Sequence, residues 1–167
     1  MAKSPKEVET ALNPSSIRTS FMNYPIRILS LDDYDAVYRL WSVTEGMSLG
    51  EDDSRDGIAL YLRKNPESCF VALDGPKIIG TVLCGHDGRR GILRHLAVNQ
   101  EYRKQGIARS LLRAGLDALS AEGIRKCNVF IMDDNPAGFQ FWQHIGFYPL
   151  EDNYRTLQFG TNTPFQR

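Results

Sequence analysis

The chain has 167 residues, enough for one domain with a sizeable core and too few for several. Its 20 Lys and Arg offset its 20 Asp and Glu, which argues against a protein that coats nucleic acid, where a basic excess is the usual footprint. Three cysteines, Cys69, Cys84 and Cys127, lie far apart inside apolar runs, so they read as buried free thiols of a cytoplasmic protein and not as a metal site or a disulfide framework.

Residues 1–23 are polar, with Pro5, Pro14 and several serines, and lack the apolar stretch of a secretion signal. They read as an extension, long enough to reach a second copy in a homodimer, and residues 24–167 as the domain. No run of 18 apolar residues predicts a membrane span. Ile26 to Leu29 predicts a short strand. Tyr34, Val37, Leu40 and Trp41 recur at helical spacing, with Ser30, Asp32 and Asp33 as N-caps. An acidic loop follows, with Glu45, Glu51, Asp52 and Asp53. Ser54 caps a second predicted helix that ends at Asn65-Pro66. Cys69–Leu73 and Lys77–Gly85 read as strands joined by the turn Asp74-Gly75-Pro76. The loop His86 to Gly91 has Gly at both turning positions and leads to a strand over Ile92–Val98.

After Val98 the period changes. Ala108, Leu111, Leu112, Gly115, Leu116 and Leu119 fall on one helical face, and Gly123 stops it. Asn128 to Met132 reads as a buried strand. Asn135-Pro136 opens another helix, which Gly146 ends. Phe147–Leu150 and Tyr154–Phe159 read as final strands. The order β-α-α-β-β-β-α-β-α-β-β is α+β in character: hairpins first, then helices crossing between strands.

The chemistry concentrates where a strand turns into the long helix. The junction Arg103-Lys104-Gln105-Gly106-Ile107-Ala108 places Arg-x-x-Gly-x-Ala at a helix start. There, backbone N–H groups lack internal partners and the helix dipole is positive, which suits a pyrophosphate. Between Arg89 and Arg113 the cations Arg89, Arg90, Arg94, Arg103, Lys104, Arg109 and Arg113 face one acid, Glu101. A solvated helix face explains such a run as well as phosphate binding does.

The stretch Ile92 to Phe147 resembles the GCN5-related N-acetyltransferase (GNAT) superfamily. Arg103 to Ala108 is similar to its Arg/Gln-x-x-Gly-x-Gly/Ala signature, Leu96-Ala97-Val98 to the strand that leads into it, and Asn135 to Gly146-Phe147 to its second landmark helix. The resemblance implies a mixed, mostly antiparallel sheet of about six to seven strands flanked by about four helices. It implies an acetyl-CoA-dependent N-acetyltransferase acting on an amine by direct attack, without a metal. It also implies roles. The amides of Gln105, Gly106, Ile107, Ala108 and Arg109 would hold the diphosphate, with Arg103, Lys104 and Arg109 adding charge. The backbone of Leu96 and Val98, about Ala97, would pair with the pantetheine arm, and Asn135 would hydrogen-bond it.

One departure stands out. The family often carries a Tyr four residues before the Gly of the second landmark, where it protonates the leaving thiolate. Here that residue is Trp142, whose indole N–H is too weak an acid. Trp142 would then wall the pocket, and the thiolate would take its proton from water or another residue, with Tyr148 and Tyr154 as candidates. The base is open too. Strand alternation puts Arg94 and His95 on opposite faces, with Ile92 and Arg94 toward the acceptor and His95 packed away from it. His144 reads as a helix-dipole partner and His86 as a surface residue. A carboxylate of the acidic loop, acting through water, is the preferred base, and Glu45, Glu51, Asp52 and Arg94 would line the acceptor side. A non-catalytic acyl-CoA sensor or interaction module is the competing class.

Overall fold

In the computed structural model, residues 24–150 are described. Five strands form one sheet in sequence order: β1 (Ile26–Ile28), β2 (Phe70–Asp74), β3 (Lys77–His86), β4 (Gly91–Val98) and β5 (Cys127–Val129). The first four pair antiparallel, and β5 lies parallel to β4. Helices α1 (Tyr34–Ser42) and α2 (Arg55–Lys64) connect β1 to β2; α3 (Ile107–Ala121) crosses from β4 to β5, and α4 (Pro136–Ile145) follows β5. The fold class expected from the pattern is thus observed, with fewer strands among the described residues. Phe147–Leu150 is not a strand, and Tyr154–Phe159 lies outside the described residues. No helix among them is long and apolar enough to cross a membrane.

The sheet separates two cores. Val37, Leu40 and Trp41 of α1 pack with Ile58, Val71, Leu83 and Ala97 on one face. Leu111, Leu112 and Leu119 of α3 pack with Trp142, Val82, Cys84 and Leu93 on the other. Leu93 and Ala97 are four residues apart on one strand, so strict alternation would put them on the same face. They lie on opposite faces because β4 carries an extra residue: Thr81 pairs with Ala97 but Leu83 with Arg94. Two residues, His95 and Leu96, therefore oppose Val82 alone, the definition of a β-bulge.

The local rules otherwise work as read. Ser54 Oγ accepts the Gly57 N–H at 3.3 Å and caps α2, and Gly146 ends α4 in the left-handed region at φ +113°. Gly91 corrects one expectation. It opens β4 instead of turning the loop, and a Cβ there would sit 2.8 Å from Leu119 and 3.0 Å from the Cys127 sulfur. Close packing, not a turn, requires it.

Gly115 is similar. A Cβ on it would overlap Cys84 Sγ, in the buried seam between α3 and β3. Gly115→Ala is therefore expected to lower stability by about 1–3 kcal/mol through overpacking. Urea unfolding checks this, and adding Cys84→Ala should recover part of the loss.

Candidate active site

β4 and β5 stay paired only from Gly91↔Cys127 to Leu93↔Val129. Beyond that point the strands part, and a cleft of about 760 Å³ opens between them. The bulge at His95 turns β4 away, and Phe130, Ile131 and Met132 leave the sheet and line the cleft, so the strand expected over Asn128–Met132 stops at Val129.

The edge of β4 facing this cleft is free. The Asn99 N–H donates to Ile79 O at 2.8 Å, and Ala97 pairs with Thr81. Alternation then turns the amides of Leu96 and Val98 outward, away from β3. Five residues from Arg94 to Val98 present about 16 Å of unpaired edge at ~3.3 Å per residue. Ala97, by contrast, buries its side chain in the α1 core and does not line the cleft.

α3 begins at the same cleft. Lys104 (φ +62°) and Gly106 (φ +82°) both sit in the left-handed region and fold the chain into the helix. The first helical hydrogen bond runs from Ser110 N to Gly106 O, and the amides of Gln105 to Arg109 find no partner among the described residues. Space beside Gly106 is open, with nothing within 4 Å of where a Cβ would stand. Arg103, Lys104 and Arg109 line the cleft along with Arg94. Arg89, Arg90 and Arg113 do not, and Arg113 pairs instead with Asp117 at 3.4 Å. Only part of the basic run therefore lines the cleft.

Aromatic residues brace this junction. Tyr24 packs edge-on against Tyr102 and its hydroxyl donates to the Gln105 side chain at 3.1 Å. The Tyr102 hydroxyl donates to Asp74 at 2.8 Å. Gln105 is thus held by its side chain, outside the cleft lining.

Asn135 lines the cleft at the start of α4, but its Oδ1 accepts the Gly138 N–H at 2.8 Å as the helix cap. Its NH2 group makes no hydrogen bond among the described residues and is left for a ligand. Trp142 is buried against Phe141 and Phe147 and lines the cleft. Tyr148 is 76% exposed and outside the lining, and Tyr154 lies outside the described residues.

The acceptor end differs from the expectation. Glu45 lines the cleft in the segment Thr44 to Ser48, while Glu51 and Asp52 are exposed and do not. Gly46 at φ +74° packs so tightly on Asn135 that a Cβ would overlap its amide. Arg94 lies over the Phe130 ring at 5.8 Å. His95 is not packed away from the site. The bulge breaks the alternation, so His95 turns to the same face as Arg94: Leu93 packs in the α3 core, which sends Arg94 to the opposite face, and His95 stacks there on Trp41 of α1. Both line the cleft.

His95 is held at several points. Trp41 Nε1 donates to Thr81 Oγ1 at 2.8 Å, and that hydroxyl donates to His95 O at 2.9 Å. Its Nε2 lies 2.9 Å from Asp53 Oδ1, an ion-pair approach off the line of the ring N–H. Burial lowers the His95 pKa; Asp53 opposes that shift and Arg94 adds to it. His86, by contrast, does not line the cleft. Its Nδ1 accepts the Gly88 N–H at 3.0 Å, which leaves the proton on Nε2 to face Glu122 at 2.9 Å. His144 is exposed in the last turn of α4. Among the described residues no group of His, Cys, Asp and Glu could hold a metal ion.

Comparison with known proteins agrees with this geometry. The family model described as the Acetyltransferase (GNAT) family matches residues 34–147. The chain is 34% identical over 119 residues to N-alpha-acetyltransferase 30 of Schizosaccharomyces pombe, covering 68% of this chain and 79% of that protein. It is 32% identical over 122 residues to an acetyltransferase of Yersinia pestis, covering 73% and 86%. The solved structure of PaiA N-acetyltransferase from Thermoplasma acidophilum in complex with coenzyme A superposes with a TM-score of 0.68 at 19% identity, over 79% of this chain and 94% of that one. At that identity the likeness is one of fold.

Proposed function

Since the chain belongs to the acetyltransferase (GNAT) family, we propose that it moves the acetyl group of acetyl-CoA to an amine of a small molecule or peptide, by direct attack with both substrates bound. One observation carries this reading: the unpartnered amides at the start of α3 and the unpaired edge of β4 open onto one cleft. A diphosphate needs the first and an extended amide-bearing arm needs the second, so the residues present fit acetyl-CoA. Arg103, Lys104 and Arg109 would add charge-assisted bonds, and the Asn135 NH2 would serve the arm. The outward amides of Leu96 and Val98 give the site donors to receive negative charge at a thioester carbonyl. No cysteine lines the cleft, which favours direct transfer over an acyl-enzyme. Glu45 at the acceptor end favours a cationic acceptor. Names among the relatives, such as N-alpha-acetyltransferase 30, favour an amine as that acceptor.

The competing sensor reading rests on Trp142, which leaves the leaving thiolate without its usual acid. Free-thiol release from acetyl-CoA, measured over a panel of small amines and peptide N-termini, separates the two. The acetyltransferase reading expects acceptor-dependent release. Calorimetric binding of CoA without release on any acceptor would select the sensor, and absence of binding would remove both.

A further inference from the structure

We propose that His95, held by Asp53, is the base that takes the proton from the acceptor amine, an assignment that rests on the acetyltransferase reading above. The placement is built, not incidental. His95 occupies the left-handed region at φ +50°, which a non-glycine residue adopts at a cost of about 1–2 kcal/mol. The surrounding structure enforces it: the Thr81 hydroxyl holds its carbonyl and the Trp41 ring, 4.6 Å away between centroids, seats its imidazole. The effect is to put an imidazole at the point where β4 leaves β5, beside the free edge that begins at Arg94.

The partner is equally fixed. Asp53 Oδ2 accepts the Gly50 N–H at 2.8 Å, and the Asp53 carbonyl accepts the Tyr34 hydroxyl at 2.9 Å. Its other oxygen is the one that faces His95 Nε2, and both side chains are largely buried, at 11% and 13% exposure. A carboxylate beside Nε2 favours the tautomer with its proton there, which leaves the lone pair on Nδ1. Nδ1 is buried and, like Nε2 by strict hydrogen-bond geometry, meets no hydrogen-bond partner among the described residues. A buried nitrogen without a partner calls for one, and a water that relays to the acceptor amine is suited to supply it.

The charges around His95 come from three elements. Asp53 precedes α2, Arg94 is its neighbour on β4, and Glu45 lies on the segment after α1; the Tyr34 ring, under the Arg55 guanidinium at 5.0 Å, backs Asp53. Burial and Arg94 keep the imidazole neutral near pH 7, the form a base requires. Glu45 is exposed and lacks such a setting. In the reaction His95 removes one proton from the ammonium. The freed nitrogen pair forms the C–N bond to the carbonyl carbon as the C–S bond breaks, and its electron pair leaves on sulfur. The second N–H proton passes to that thiolate by water, and His95 returns its proton to solvent.

The test compares wild type, His95→Asn and Asp53→Asn. Asn tolerates positive φ, so the first variant keeps the bulge. With an amine that the wild type acetylates, His95→Asn should lower kcat by about 100-fold or more, leave the KM for acetyl-CoA within about threefold, and abolish the acid limb of the pH–rate profile. In Asp53→Asn the charge that raises the His95 pKa is gone, so the limb should move to lower pH while kcat falls. A second readout needs no turnover: NMR titration of the imidazoles in the free protein. The signal absent from His95→Asn should titrate below the ordinary 6.5 and move lower in Asp53→Asn. Full kcat and an unchanged pH profile in His95→Asn would overturn the base while leaving acetyl transfer intact. A His95 titration indifferent to Asp53→Asn would overturn the pairing. A wild type that consumes acetyl-CoA with no amine would overturn the acetyltransferase reading and the base with it.

Discussion

Gly106→Asp is expected to weaken CoA binding by at least about 100-fold, or roughly 3 kcal/mol, without unfolding the protein. Gly106 stands at the N-cap of α3 with no side-chain cap, ahead of amides that have no partner. An Asp at an N-cap is among the best residues for a helix and offsets the strain of φ +82°. Its carboxylate would bond the very amides a diphosphate needs, and its charge would repel the phosphates. Stability and affinity should therefore part company. Gly106→Asn is the control: it tolerates the same backbone, caps the same amides without charge, and should bind CoA at an intermediate level. Calorimetry with CoA, alongside thermal unfolding, reads both quantities. If Gly106→Asp bound CoA as tightly as wild type, the diphosphate would not lie at this turn.

Thr81→Val should be the most damaging conservative change in the sheet. Thr81 is fully buried, and its hydroxyl is both acceptor from Trp41 Nε1 and donor to His95 O. Valine keeps the shape and strands both partners in the interior. Leaving two buried polar groups unsatisfied costs about 2–5 kcal/mol, or a drop of roughly 5–15 °C in Tm for a chain of this size. The same change frees the His95 carbonyl, so kcat should fall more than CoA affinity does. Thr81→Ser keeps both bonds and is expected within about 1 kcal/mol of wild type. Equal stability of the valine and serine variants in urea would show that the hydroxyl carries no such duty.

What could be read in advance follows from how far each feature depends on local sequence. The apolar stripe of α3 and the turn at Gly106 are local, and both are found where the residues put them. The bulge is not local. Nothing in Leu93-Arg94-His95-Leu96 marks it, because it arises from pairing with Thr81 and Leu83 on another strand. Missing it reverses the facing of His95 and hides its neighbour Asp53, which counts in sequence only as one acid among several in a loop. Phe130 and Met132 mislead for the same reason. Their apolar character suits a strand, yet they serve as cleft lining and stay largely exposed. Tyr148 lies just past the landmark helix in sequence, but the chain carries it into solvent.

The thiols have a practical corollary. Cys69 and Cys84 are buried, burial pushes Cys69 up to about 11 and Cys84 higher still, and the half-buried Cys127 is likewise raised to about 11. At pH 7.5 a group titrating near 11 is ionised to the extent of only about one part in three thousand, and the thiolate is the reactive form. A colorimetric disulfide reagent should thus leave these side chains untouched over an assay, so that colour reports released coenzyme alone. A single cysteine introduced on the surface would in turn take a dye or a spin label against a silent native background.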